Sequence, residues 1–167
     1  MRAFGRGLLV VSVALAAGCG YRFTAPGSEL VGGLRSVHVP MFDNRTAEPG
    51  AELVFTRAAR AQLERAGRLG DANAEGTLVG SIVAVSGGPF LSSAAFGRQP
   101  VFRLNVTVSL SVVKGGVTLA STTVTSSEEF PSGADPLLTE SNRGTALQRA
   151  AEVAVREGLE RLEAPTR

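Results

Sequence analysis

From residue 102 to residue 112 the chain alternates without a break. Phe102, Leu104, Val106, Val108, Leu110 and Val112 are apolar, and Arg103, Asn105, Thr107, Ser109 and Ser111 between them are polar. A period of two held over eleven residues is incompatible with a helix, whose side chains repeat every 3.6 residues, and it demands a strand with one face buried and the other polar. Such a strand belongs to a sheet covered by helices on one side only. Lys114-Gly115-Gly116 follows, and two glycines able to take positive φ suit a tight hairpin into a second strand over residues 117–130, antiparallel to the first.

The rest of the chain supplies partners for that sheet. Residues 34–39 read as a first strand closed by Pro40, and residues 77–85 as another, rich in β-branched side chains. Between them, residues 51–66 place Phe55, Ala59, Leu63 and Ala66 on one helical stripe, and Gly67 stops the helix. A second helix starts at Asp135-Pro136 or at Ser141-Asn142 and ends before Pro165. Its stripe is Leu147, Ala151, Ala154, Gly158 and Leu162, and the pairs Glu152–Arg156 and Glu157–Arg161 stand four apart on the opposite side. The order βαβββα predicts an α+β, two-layer sandwich: a four-stranded, mostly antiparallel sheet with two helices on one face.

Ahead of this domain stands a leader. Arg2 and Arg6 precede ten apolar or small residues, 8–17, then Gly18 and Cys19, the one cysteine. A membrane-spanning helix needs roughly 20 apolar residues, so the segment reads as a signal peptide, 1–18, of the bacterial lipoprotein type, with lipid carried on Cys19. Residues 19–33 then form a lipidated terminus and tether, and residues 34–164 a single domain. Several acyl chains on Cys19 would hold it at a membrane, since each buried methylene contributes about 0.8 kcal/mol. Of 17 Lys plus Arg against 15 Asp plus Glu, two arginines leave with the leader, so the remainder balances. Arg57, Arg60, Arg65 and Arg68 alternate with apolar or acidic residues and read as a solvated helix face, which gives no basic patch for nucleic acid.

Catalytic patterns are missing from the sequence. His38, between Val37 and Val39, reads as a strand residue pointing away from both valines. Glu128 and Glu129 are adjacent on a strand, so they face opposite sides and cannot share one site as acid and base. Gly87-Gly88 and Gly115-Gly116 have no Lys-Ser/Thr behind them and read as turns rather than phosphate loops. No His, Cys and carboxylate cluster has metal-ligand spacing, so no catalytic residue, metal or other cofactor is expected.

Certain motifs resemble a known family. Cys19-Gly20-Tyr21-Arg22-Phe23, then Val39-Pro40-Met41-Phe42-Asp43-Asn44-Arg45-Thr46 with Pro49-Gly50-Ala51-Glu52, are similar to the LPS-assembly lipoproteins of the LptE family. Gly67-Arg68-Leu69, Leu78-Val79-Gly80-Ser81-Ile82 and the order of elements continue the likeness over nearly the whole chain behind the leader. The resemblance implies a non-catalytic lipoprotein on the periplasmic face of the outer membrane. It would plug the β-barrel LptD and help it place lipopolysaccharide in the outer leaflet. Gly20 rather than Asp after the cysteine fits outer-membrane sorting by the same resemblance.

One segment is expected to bind. Residues 87–100 read as a loop that presents Phe90, Leu91 and Phe96 beside Arg98. Phenylalanines contribute apolar contact area and an arginine fork can clasp a phosphate such as those of lipid A. The same phenylalanines could instead fold back to cap the core. Arg103 on the sheet and Lys114 at the hairpin are further candidate contacts. The polar sheet face, read as Asn105, Thr107, Ser109 and Ser111 with Thr122 and Thr123, is uncharged and suits packing against a barrel lumen. Two rival classes are a lipid-anchored subunit of another envelope complex and a small hydrolase or sugar-binding lipoprotein, the latter needing a pocket of convergent polar groups.

Overall fold

The computed structural model describes residues 30–91 and 100–163. Its elements are β1 (Val37–His38), β2 (Asp43–Asn44), α1 (Ala51–Arg65), β3 (Leu69–Gly70), β4 (Gly76–Leu91), β5 (Val101–Lys114), β6 (Val117–Pro131) and α2 (Pro136–Leu162). β5 is the expected alternating strand. Leu104, Val106, Val108, Leu110 and Val112 are all fully buried, and α2 packs over β5 and β6 with α1 beside it. β4, β5 and β6 form an antiparallel meander. Lys114 pairs with Val117 across a two-residue turn in which Gly115 and Gly116 have φ of 56° and 82°, the left-handed geometry that the twist of a hairpin favours.

The sheet departs from the expected four antiparallel strands. It is open and mixed, with six strands in the order β3-β1-β4-β5-β6, and β2 also lies against β4. β1 runs parallel to both β3 and β4, and β2 parallel to β4. The cause is local. Pro40 has no N–H to give to a ladder, so the first strand stops after His38 and the chain rejoins β4 only at Asp43–Asn44. Past α1, the chain turns back at Gly67 and lays Leu69–Gly70 against β1.

Helix ends follow their sequence signals. α1 closes with Gly67 at φ 67°, its N–H donating to the Glu64 carbonyl at 2.9 Å and that of Arg68 to the Leu63 carbonyl at 2.8 Å, the Schellman arrangement. Ala66, expected on the apolar stripe, is the exposed C-cap, and Ala51, Thr56 and Ala58 are buried instead. α2 starts at the earlier of its two candidate sites: Pro136 opens it and the Asp135 carboxylate accepts from the Leu138 N–H at 2.8 Å. The expected stripe of α2 is buried, widened by Ala146, Ala150, Val155 and Leu159. Arg161 reaches Glu157 at 3.5 Å as expected, whereas Arg156 turns towards Glu160 at 4.0 Å rather than Glu152.

Glycine sets two close approaches. A side chain at Gly158 would collide with Leu110, and one at Gly80 would enter the ring of Phe42. At the hairpin end, Leu30 is buried and bridges to Glu163, and the Val31 N–H donates to the Leu162 carbonyl at 3.0 Å, so the chain enters the domain beside the end of α2. Phe42 also binds α1, its N–H donating to Thr56 Oγ1 at 2.9 Å while that hydroxyl donates to the Glu52 carbonyl at 2.6 Å. Gly80→Val should therefore destabilise the domain by about 2–3 kcal/mol despite the better strand propensity of valine, because the ring has no room to retreat. Urea unfolding measures this, and a loss below about 0.5 kcal/mol would mean that Phe42 is not fixed there.

Candidate functional site: the open sheet face and its tip

With the helices on one side, the other side of the meander is left open, and its residues are held by their neighbours across the strands. Opposed pairs are Arg103 with Glu129, Asn105 with Ser127, Thr107 with Thr125, Ser109 with Thr123 and Ser111 with Ser121. Three of them are bonded through side chains: Arg103 Nη2 donates to Glu129 Oε1 at 2.7 Å, Ser127 Oγ to Asn105 Oδ1 at 2.6 Å, and the Thr107 and Thr125 hydroxyls lie 3.0 Å apart. Thr122 does not belong to this face, since it pairs with the buried Leu110 on the helix side. Nor is the face wholly uncharged. Arg45, paired with Asp43 at 2.8 Å, edges a shallow hollow of ≈ 350 Å³ that Val79, Ser81, Val83, Ser109 and Thr123 also line. A bulge between Ile82 and Ala84 leaves both Val83 and Ala84 exposed.

At one end of this face is the tip. β4 was expected to stop at Val85, with Gly87-Gly88 as a turn, but Gly87, Gly88 and Pro89 pair with Leu104, Arg103 and Phe102. β2 has ended opposite Ile82, so β4 is an edge strand here and a proline lacking an N–H is tolerated. A second bulge follows between Pro89 and Leu91. Phe90 stands there, 41% exposed, with the Arg103 guanidinium 3.3 Å from its ring centroid. Two of the expected contact residues are thus brought together. Lys114 is not, because eleven residues of strand at about 3.3 Å each put it some 35 Å away at the hairpin. Phe96, Arg98 and Cys19 lie outside the described residues.

The sequence reading missed Leu137 and Leu138, 85% and 47% exposed, which open α2 at this same end. Two leucines directly behind Asp135-Pro136, ahead of the apolar stripe, were the available signal. Beneath the tip, Phe102 and Phe130 stack at 5.5 Å and close the core.

The other singled-out residues are structural. His38 is half-buried between the buried Val37 and Val39. Glu128 and Glu129 do point to opposite faces, Glu128 towards Arg149 of α2 at 3.6 Å and Glu129 towards Arg103. Arg68 is not on a solvated helix face: it follows α1, is 7% exposed and pairs with Glu163 at 3.0 Å. Arg60 donates twice to the Val39 carbonyl, at 3.1 and 2.8 Å. Among the described residues no group of His, Cys, Asp and Glu is placed to hold a metal.

A second network binds the loop before α1 to α2. Asn44 Nδ2 donates to the Glu48 carbonyl and to Glu52 Oε2, both at 2.8 Å, while Asn44 Oδ1 accepts from the Thr46 N–H and hydroxyl at 3.0 and 2.8 Å. Glu48 in turn takes both terminal nitrogens of Arg143. The hydrogen bond with Glu48 raises the Arg143 pKa above its ordinary value. A raised pKa means stability present below the ordinary value, so the arginine is charged and contributes fully at every physiological pH.

An α+β sandwich with two helices on one face of a mixed sheet, entered beside the end of its last helix, is the class of fold, and the family comparison places the chain within it. The chain belongs to the LptE family, whose model, described as lipopolysaccharide-assembly, matches residues 34–162. The fold is shared with a protein of Caulobacter crescentus CB15 (TM-score 0.52, 16% identity, 73% of this chain and 87% of that one) and with hypothetical protein CT253 of Chlamydia trachomatis (0.51, 10%, 77% and 95%). Rare lipoprotein B of Shewanella oneidensis is similar at TM-score 0.47 and 13% identity over 74% of this chain and 92% of that one. Among curated proteins no sequence matches. Family membership supports an envelope lipoprotein of lipopolysaccharide assembly, in a family that is non-catalytic. Among the described residues no helix is long and apolar enough to cross a membrane.

Arg143→Met should cost about 2 kcal/mol, because it strands the Glu48 carboxylate, 13% exposed, without its partner. A companion Glu48→Met should recover part of the loss, as chemical unfolding of the single and double variants would register. A loss under about 0.5 kcal/mol would reduce the pair to an ordinary surface contact.

Proposed function

We propose that this protein is the outer-membrane lipoprotein that plugs an LptD-type β-barrel and assists it in assembling lipopolysaccharide at the outer leaflet. Cys19 carries the lipid that holds it on the periplasmic side. The observation that carries the proposal is the family match, which spans the whole sandwich from residue 34 to residue 162.

The geometry supports a plug. The chain enters at Leu30, beside Leu162 and Glu163, at the end of the sandwich opposite Phe90 and Arg103. A tether from Cys19 therefore joins the domain at the hairpin end, and the tip lies the length of the strands, about 45 Å, from that point of entry. Hydroxyls bonded across strands give the open face a flat, mostly uncharged surface that can pack on another polar wall without stranding a charge. Phe90 and Arg103 then meet the barrel or its lipid at the tip, Phe96 and Arg98, outside the described residues, are further contacts of the same kind, and Lys114 makes a separate contact at the hairpin end.

A mild-detergent pull-down of the tagged protein from its host's outer membranes, followed by mass spectrometry, should recover a stoichiometric LptD-type barrel, and Cys19→Ser should move the protein out of the membrane fraction. Recovery alone, or with a different envelope complex, would refute the barrel partnership, and membrane retention of the serine variant would refute lipid anchoring.

A further inference from the structure

Arg103 is held on two sides. Its guanidinium carbon lies 3.3 Å from the Phe90 ring centroid, and its Nη2 donates to Glu129 Oε1 at 2.7 Å from the directly opposed position on β6. Among the described residues its side chain makes no other hydrogen bond. One face of the guanidinium is therefore covered by an aromatic ring and one N–H edge by a carboxylate, leaving donors that no other described residue takes. Arginine and glutamate side chains are 38% and 47% exposed, so the pair is open to competition.

We infer that Glu129 is a built-in competitor at Arg103: its carboxylate occupies the edge of the guanidinium that an incoming phosphomonoester takes, and binding displaces it. The inference rests on the proposal above that Arg103 is a contact for lipopolysaccharide, and adds how that contact is regulated. Carboxylate and phosphate both match the guanidinium fork. A phosphomonoester carries about −1.5 to −2 charges against the single charge of a carboxylate, so it wins the exchange. An acidic protein side chain, no more charged than Glu129, does not. Phe90 keeps the guanidinium plane in place while the carboxylate leaves. Glu129 thus holds the site oriented when empty and filters singly charged anions from it.

Glu128 provides an internal control. It carries the same charge one residue earlier, but faces the helices and pairs with Arg149 at 3.6 Å. The test is equilibrium binding of the full protein in mild detergent to three probes: phosphatidylcholine vesicles carrying bis-phosphorylated lipid A, the same vesicles with lipid A lacking both phosphates, and inorganic phosphate in solution. Glu129→Gln should tighten binding to phosphorylated vesicles about two- to fivefold, the range expected for releasing an exposed ion pair. Glu128→Gln should leave it unchanged, and binding to dephosphorylated vesicles should be equal in all forms. Tightening towards inorganic phosphate to the same degree supports the exchange and assigns it to phosphate in either source. Equal tightening by both glutamine variants would overturn the inference in favour of net charge. No tightening by Glu129→Gln, with binding still weakened by Arg103→Gln, would overturn the competition and leave the contact standing. No effect of Arg103→Gln would overturn both.

Discussion

Every other feature of the molecule depends on the one-sided burial of β5. It is hydrogen-bonded on both edges, and the five alternate side chains from Leu104 to Val112 are withdrawn from water. Each contributes on the order of 1.5–3 kcal/mol when buried. A slip of one residue in its pairing would turn the same five into solvent, so the register of β4 and β6 is set by β5. α2 completes the arrangement with small residues. Ala146, Ala150, Ala151, Ala154 and Gly158 are buried, which lets the helix lie close enough that Leu110 fills the space at Gly158 where a side chain would stand.

The two ends of the sandwich are secured differently, and the difference bears on function. At the hairpin end the fastening is backbone together with one largely buried ion pair: the Gly115-Gly116 turn, the bridge from Leu30 to Glu163, and the Arg68–Glu163 side chains. At the tip, beyond the stacked Phe102 and Phe130, the fastenings are exposed side chains such as Phe90, Arg103 and Glu129. Contacts of that kind open at low cost. Under the function proposed above, the end joined to the tether is the firmly fastened one, and the end proposed to meet a ligand or partner is the one whose contacts can be exchanged.

What could be read from the chain was what is periodic. The alternation at 102–112, the stripe at 147–162 and the paired glycines at 115–116 identified β5, α2 and the hairpin, because many residues voted for each. The two-residue strands β1, β2 and β3 have no period to read, so the mixed sheet stayed hidden behind a simple antiparallel one. Gly87-Gly88-Pro89 looked like a turn by composition, yet on an edge strand nothing forbids them. Arg68 was misplaced because helical spacing was extended past Gly67, where the chain reverses. Thr122 was assigned to the wrong face by a single step in parity, which only the pairing with Leu110 reveals. Leu137 and Leu138 escaped because a leucine pair before a helix stripe looks like the beginning of the core.

Many of the residues that carry the family resemblance build the fold. Asn44, Thr46 and Glu52 bond one another and the neighbouring Glu48, which holds Arg143; Phe42 fills the space over Gly80; Gly67 closes α1. None of these side chains is exposed to the degree that Phe90 or Leu137 is. A motif of this kind transmits architecture strongly, since each member is fixed by several bonds within the domain. It transmits contact chemistry only through the position it gives to other residues. Those residues lie on the open face and at the tip, where side chains are constrained by a single neighbour or by water. Function in such a domain can therefore vary by exchanging exposed residues over an unchanged frame, which is why the contacts proposed above are sought among exposed side chains rather than among the bonded members of the motif.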